Sequence, residues 1–154
     1  MLPFINTGRY DKILPGRSNN LINSGTAHIG ILICNESLFE QKYMEYIDEG
    51  ANLLVLMSND SWFENTPLQT LHFYLTRMLA VMAGRDLVVN SNRGMTGIIR
   101  ARGDIEVLPD SGKARVLDRK ANLTSGRTTY SIIKEFTVPF YLMVIILSIR
   151  LKRK

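Results

Sequence analysis

The sequence predicts an α/β fold, and two observations support this class. Short apolar runs at residues 29–33 and 53–57 are typical of buried strands, and each precedes a segment with helical periodicity. The chain has 154 residues, of which 45% are hydrophobic and 21% charged, so one domain with a substantial core is expected. The order of strand, helix, strand and helix favours buried strands that are covered by helices.

The first predicted strand, Ile29–Ile33, leads into the first predicted helix. Ser37 suits the N-cap of this helix, and Glu40, three residues later, completes a capping box. Gly50 is a typical stop signal, so the helix is expected to end near Asp48. The apolar face of the helix is predicted to carry Phe39, Tyr43, Tyr46 and Ile47.

The second strand, Leu53–Met57, is followed by a polar loop at residues 58–63 and by a second helix. Thr66 suits the N-cap of that helix, Pro67 suits its first position, and Gly84 is expected to end it. The side chains predicted to face the core are Leu68, Leu71, Leu75, Met78, Leu79 and Met82.

Shorter signals predict the rest of the domain. Three more strands are expected at residues 87–90, 95–100 and 105–108. The Arg-Gly-Asp triplet at residues 102–104 is interpreted as part of a hairpin turn between the last two. Residues 1–27 and 109–130 are polar or rich in turn-forming residues, and both stretches are predicted to be irregular.

The C-terminal segment carries an uncharged run of 14 residues, 136–149, followed by a basic cluster. A helix of this length covers about 21 Å, less than the ~30 Å of a hydrocarbon core, which suits a buried or interfacial helix. Apolar Ile132 and Ile133 and the basic end favour a membrane span instead. The basic cluster supplies four charges of the net +5, so nucleic acid is not a predicted partner.

The only cysteine, Cys34, ends the first strand at a strand-to-helix corner. Such a corner presents a side chain to solvent, and a helix N-terminus favours the thiolate that acts as a nucleophile. Backbone N–H groups at the corner would also stabilise an oxyanion. Glu36 either orients a partner or favours the helix start electrostatically. The alternative is that Cys34 is a small buried side chain, and the residues alone leave both interpretations open.

Three short motifs in the sequence resemble the carbon–nitrogen hydrolase (nitrilase) superfamily, and within it the apolipoprotein N-acyltransferase family. They are Ile33-Cys34-Asn35-Glu36, Gly50-Ala51-Asn52-Leu53-Leu54 and Ser58-Asn59-Asp60-Ser61-Trp62-Phe63. The likeness continues at His72, Arg77, Ala80, Arg85, Asn92, Gly94 and Thr96. It implies the C-terminal part of a nitrilase-like α-β-β-α sandwich at residues 1–130, followed by one transmembrane helix with a basic tail at residues 131–154.

The resemblance also implies a reaction. Cys34 would take an acyl chain from a phospholipid as a thioester and pass it to the N-terminal amine of a diacylglyceryl-cysteine lipoprotein. Glu36 would support the nucleophile, while Asn59 and Trp62 would bind substrate. Their alternative interpretations are turn chemistry for Asn59 and packing for Trp62. The family location is the bacterial inner membrane, with the domain on the periplasmic side and the C-terminal tail in the cytoplasm.

The sequence also departs from the family pattern. The catalytic lysine would fall just before Met1 and the catalytic glutamate further upstream, and residues 1–33 contain no glutamate. Asn35 replaces a tyrosine, while Arg9 and Met82 replace glutamates. The chain is therefore expected to be an incomplete, inactive part of such an enzyme. The alternatives are a soluble nitrilase-type amidase and a non-catalytic remnant.

No cofactor is predicted. A metal site is not predicted either, because His28 and His72 show no recognisable ligand spacing with Cys34.

Overall fold

A mixed sheet of six strands forms the centre of the computed structural model, which describes residues 21–63, 66–108 and 115–152. The strands are β1 (Ile22–Ser24), β2 (Ala27–Ile33), β3 (Leu53–Ser58), β4 (Leu87–Ser91), β5 (Thr96–Ile99) and β6 (Ile105–Leu108). They lie side by side in chain order. The pairs β2–β3 and β3–β4 are parallel, and the other pairs are antiparallel.

The two parallel pairs depend on helical crossovers. Helix α1 (Glu40–Asp48) joins β2 to β3, and helix α2 (Leu68–Ala83) joins β3 to β4. The register aligns Ile33 with Met57 and Met57 with Asn90. The carboxyl ends of three neighbouring strands therefore meet at one edge of the sheet, where α/β proteins commonly bind ligands.

The core lies between the sheet and the two helices. Alternate strand side chains such as Leu32, Leu54 and Leu56 are at most 1% exposed and cluster with helix side chains. Each fully buried leucine stabilises the fold by roughly 1.5–3 kcal/mol. Helix α1 lies close against β2, because a Cβ added to Gly30 would meet Cγ of Tyr46 at 2.6 Å. These contacts confirm the predicted α/β class.

The start of α1 corrects the sequence prediction. Residues Cys34–Leu38 form a 3-10 turn, here called the Cys34 turn, and α1 begins only at Glu40. Phe39 is the N-cap and makes no side-chain capping bond, so the predicted capping box at Ser37 and Glu40 is wrong. The Ser37 hydroxyl bonds within the protein interior instead. Of the predicted apolar face, Tyr43, Tyr46 and Ile47 are buried but Phe39 is 61% exposed.

Helix α2 shows a second correction. It begins at Leu68 after the N-cap Pro67, one residue later than predicted, and ends as expected at Gly84, whose φ is 65°. Most of the predicted core stripe is exposed, namely Leu68, Leu71, Leu75 and Met78. The buried face is His72, Phe73, Thr76, Leu79, Ala80 and Ala83. Two polar residues therefore lie where the sequence analysis expected apolar ones.

Two further comparisons with the sequence prediction concern the ends of the domain. Strand β1 lies in a stretch predicted to be irregular, where it forms a hairpin with β2. Residues 115–128 have neither helix nor strand, in agreement with the prediction for that stretch. The predictions for Arg9, for the rest of residues 1–20 and for residues 109–114 lie outside the described residues.

The C-terminal segment forms helix α3 (Thr129–Lys152), which has 24 residues. Its apolar side chains from Phe140 to Ile149 are 41–62% exposed. The sequence analysis predicts a transmembrane helix here. In the described part of the chain, no helix meets the combined requirement of length and apolar character for crossing a membrane.

Candidate active site

Cys34 occupies the corner between β2 and the Cys34 turn. Its φ of 50° lies in the left-handed region, and it is the one non-glycine residue with positive φ among the described residues. This conformation costs a residue with a Cβ roughly 1–2 kcal/mol, so the surrounding contacts have to hold it. Strained backbone of this kind clusters at functional sites. The thiol is half-buried and forms no disulfide.

Glu36 stabilises this corner directly. Its Oε2 atom accepts a hydrogen bond of 2.9 Å from the backbone N–H of Ile33, the residue before the cysteine. The Glu36 carboxylate therefore stabilises the start of its own turn, which is one of the two roles that the sequence analysis considered for it.

A buried hydrogen-bonded chain lies beneath the corner. The Ser37 hydroxyl donates to the carbonyl oxygen of Cys34 at 2.9 Å, and Ser37 Oγ lies 2.8 Å from Nε2 of His72. The other ring nitrogen of His72, Nδ1, lies 3.3 Å from Oδ1 of Asp60. Ser37, His72 and Asp60 are each at most 7% exposed. These hydrogen bonds thus connect the Cys34 turn, helix α2 and the loop that follows β3.

Asp60 begins a second 3-10 turn, Asp60–Phe63, after β3. Its carboxylate accepts hydrogen bonds from the hydroxyls of Ser58 (2.6 Å) and Ser91 (2.8 Å). Burial alone would raise the pKa of Asp60, but the bonds from His72, Ser58 and Ser91 outweigh burial and hold the pKa below its ordinary value. Asp60 therefore remains a carboxylate at neutral pH and ties together the ends of β3 and β4.

An open cavity of about 350 Å³ lies beside Cys34, at the carboxyl ends of the three parallel strands. Its lining residues are Ile33, Cys34, Met57, Ser58, Asn59, Asn90 and Asn92. Ile33 and Met57 are 63% and 52% exposed, so they present apolar surface that an alkyl chain can contact. Side-chain amides are suitable donors to a developing oxyanion. Among the described lining residues, Cys34 is the one titratable group.

The structure separates the predicted site residues into two groups. Cys34 and Asn59 line the same cavity, and Glu36 lies two residues from the thiol. Asn59 also performs the turn chemistry, since its Oδ1 accepts bonds from the backbone and hydroxyl of Ser61. Trp62 is 82% exposed and does not line the cavity, so the packing interpretation of Trp62 is wrong. Its role in substrate binding stays a prediction.

Sequence reasoning missed two sets of residues. Asn90 and Asn92 line the cavity, but the sequence analysis named Asn92 only in the family likeness and gave neither residue a role at the site; the available signal was the polar end of β4 beside the polar end of β3. Ser37 was assigned to a helix cap and His72 only to the family likeness, so the contact between Ser37 and the buried side of α2 was not predicted. The i, i+4 spacing of His72 and Thr76 was the available signal for the latter.

The described residues contain no group of three or more histidine, cysteine, aspartate or glutamate side chains placed to hold a metal ion.

The fold and the cavity together define an α/β domain with a cysteine presented at the carboxyl edge of a sheet. The family model for carbon-nitrogen hydrolases matches residues 4–125. The chain therefore belongs to the carbon-nitrogen hydrolase family.

Two curated relatives carry the name apolipoprotein N-acyltransferase. The protein of Geobacter metallireducens is 32% identical over 133 residues, which cover 85% of this chain and 26% of the relative. The protein of Shewanella oneidensis is 33% identical over 103 residues, covering 66% of this chain and 20% of the relative. The chain thus spans about a quarter or less of the length of these relatives.

A solved structure supports the fold alone. The carbon-nitrogen hydrolase from Helicobacter pylori G27 superposes with a TM-score of 0.56 at 14% sequence identity. The matched region covers 62% of this chain and 41% of that one.

Proposed function

We propose that this chain carries the acyl-accepting cysteine of an apolipoprotein N-acyltransferase. The observation that supports this most is the half-buried thiol of Cys34, presented by a left-handed backbone beside an open cavity of apolar and amide side chains. The names and identities of the curated relatives support the acyl transfer. The acyl donor is a phospholipid and the acceptor is the N-terminal amine of a diacylglyceryl-cysteine lipoprotein.

The proposed chemistry has two half-reactions. In the first, the thiolate of Cys34 attacks the ester carbonyl carbon of the phospholipid, a C–S bond forms, and the C–O bond breaks. The lysophospholipid alkoxide leaves and takes up a proton. In the second, the acceptor amine attacks the thioester, a C–N bond forms, and the C–S bond breaks. The amine loses a proton and the thiolate is restored.

Residues at the cavity take distinct roles in this proposal. Ile33 and Met57 contact the acyl chain, and the amides of Asn59, Asn90 and Asn92 face the oxygen on which charge develops. Glu36 supports the nucleophile by holding the backbone of Ile33. Trp62 contacts substrate from the loop, and its 82% exposure leaves its ring accessible.

We also propose that the described residues support acylation of Cys34 more readily than the complete transfer reaction. Loss of a proton from the acceptor amine in the second half-reaction needs a base, and Cys34 is the one titratable group among the described cavity residues. A glutamate base and a lysine would have to come from residues outside the described cavity.

The lipid donor implies a location at the bacterial inner membrane. The exposed apolar side chains of helix α3, including Phe140, Leu142 and Ile146, support contact with lipid. Flotation with phospholipid vesicles tests this part of the proposal. Release of the full chain by high salt or carbonate would contradict it.

Acylation of Cys34 is the experiment that tests the function. The chain is incubated with diacylphospholipid vesicles, and its intact mass is measured before and after neutral hydroxylamine. We expect one added acyl mass that hydroxylamine removes, as a thioester requires. Cys34→Ser is the matched control, because its oxygen ester would resist the same treatment. Absence of any adduct on the wild-type chain would refute the proposal.

The alternative functions predict other results. A soluble nitrilase-type amidase would release ammonia from small amides such as propionamide and would not float with vesicles. A non-catalytic remnant would give neither an acyl adduct nor ammonia.

A further inference from the structure

We propose that His72 is a positioning residue for Cys34. Through the hydroxyl of Ser37, it holds the carbonyl group of Cys34 and with it the left-handed backbone that presents the thiol. This inference rests on the proposed function only in taking Cys34 as the nucleophile. It goes beyond that function because it assigns a role to a buried histidine that touches neither the cavity nor a substrate.

The strained backbone at Cys34 is held by contacts on both sides. The φ of 50° at Cys34 is unfavourable for a residue with a Cβ and persists only if neighbouring contacts restrain it. Two side chains restrain the backbone on either side. Glu36 binds the N–H of Ile33, and Ser37 binds the carbonyl oxygen of Cys34. The second bond fixes the peptide that follows the cysteine.

The partners of the Ser37 hydroxyl explain how His72 reaches the corner. The hydroxyl donates to the carbonyl oxygen of Cys34. Thr76 Oγ1 donates to Ser37 Oγ at 3.3 Å, and Nε2 of His72 lies closer, at 2.8 Å. His72 is therefore the nearest side-chain partner of the hydroxyl and holds it in place beneath Cys34.

The ring of His72 is itself held on its other side. Nδ1 faces the Asp60 carboxylate, which accepts hydrogen bonds from two serine hydroxyls. Asp60 is next to Asn59, a cavity residue, so the chain of bonds couples the two segments that border the cavity.

The burial of His72 excludes a direct catalytic role. Its side chain is 8% exposed and does not line the cavity beside Cys34. Its influence has to pass through Ser37, which is fully buried and is also fixed by the Tyr43 hydroxyl donating to its carbonyl oxygen. The contact between Nε2 of His72 and Ser37 Oγ is therefore the feature to test.

Alkylation of the intact chain by iodoacetamide provides the test, because Cys34 is the only cysteine. His72→Gln keeps a polar amide near the position of Nε2, whereas His72→Asn places its amide near Nδ1 and loses the contact with Ser37. We expect His72→Asn to lower the labelling rate about tenfold, and His72→Gln to stay within about threefold of wild type. His28→Asn, at an exposed histidine of β2, is the matched control and should label at the wild-type rate.

A double-mutant cycle separates positioning from general damage to the fold. Because His72 acts through Ser37, the variant Ser37→Ala with His72→Asn should label no more slowly than Ser37→Ala alone. Thermal midpoints are measured for each variant. Equal rates for His72→Asn and His72→Gln, a wild-type or faster rate for His72→Asn, or additive effects would each overturn the proposal. Should His72→Asn not fold, a wild-type rate for Ser37→Ala would overturn it.

The outcome is separable from that of the proposed function. A chain that shows the expected labelling pattern but never accepts an acyl group contradicts the acyltransferase proposal alone. A chain that accepts an acyl group equally well with and without the contact between residue 72 and Ser37 contradicts the positioning role alone.

Discussion

Replacing Cys34 by glycine should stabilise the chain relative to replacing it by alanine. Both variants remove the thiol, but only alanine keeps the Cβ that makes a φ of 50° unfavourable. Left-handed backbone costs a residue with a Cβ roughly 1–2 kcal/mol. Glycine also raises the conformational entropy of the unfolded chain, which lowers the free energy of unfolding by about 0.4–1 kcal/mol. The difference leaves Cys34→Gly more stable by about 0.8 kcal/mol.

Urea denaturation of the two variants under identical conditions measures this difference. The control pair is Ile33→Gly and Ile33→Ala, at the neighbouring exposed residue with ordinary extended backbone (φ −112°, ψ 115°). There alanine should be the more stable by about 0.5–1 kcal/mol, which is the usual order. If Cys34→Ala were also the more stable of its pair, the corner would carry no strain and the reasoning about its restraints would fail.

Three other predictions concern the surrounding structure. Asp86→Asn should lower the free energy of unfolding in urea by about 2–4 kcal/mol, since the buried carboxylate accepts two backbone N–H groups and pairs with Arg100; a loss below about 1 kcal/mol would contradict this account. Gly30→Ala should cost about 1–3 kcal/mol, because the new Cβ would lie 2.6 Å from Cγ of Tyr46, and an unchanged thermal midpoint would show that α1 lies further from β2. The lowered pKa of Asp60 contributes stability that is present above pH 3.8, its ordinary pKa, and is lost as the pH falls below that value. In denaturation at several acid pH values, the free energy of unfolding should therefore fall less steeply for Asp60→Asn than for wild type.

The sequence predicted the elements that depend on apolar patterning. The runs at residues 29–33 and 53–57 became β2 and β3, and Gly84 ended α2 in the left-handed conformation that glycine permits. Cys34 was placed at the end of its strand because a long apolar run stopped there. These features are local, so a single stretch of sequence determines them.

The buried hydrogen bonds among Ser37, His72 and Asp60 could not be predicted in the same way. Helical spacing of apolar residues assigned Leu71, Leu75 and Met78 to the core, but these side chains are exposed and His72 is buried. Burial of His72 is favourable only because Ser37 and Asp60, from two other segments, satisfy its ring nitrogens. Pairings across the fold of this kind have no local signature.

The same reason explains the error at the start of α1. Ser37 followed by Glu40 fits a capping box, but the serine hydroxyl bonds to Cys34 and His72 instead. Glu36, one residue earlier, performs the comparable reach-back bond, to the N–H of Ile33. The reach-back bond therefore belongs to a turn that begins at the cysteine, and the capping box predicted at Ser37 and Glu40 is wrong.

The site of acylation tests the central claim most directly. After incubation with phospholipid vesicles, the chain is digested and the peptide that carries the acyl group is sequenced by mass spectrometry. The account predicts that the acyl group lies on Cys34 and that Cys34→Ala is left unmodified. An acyl group on another residue, or equal modification of Cys34→Ala, would contradict it.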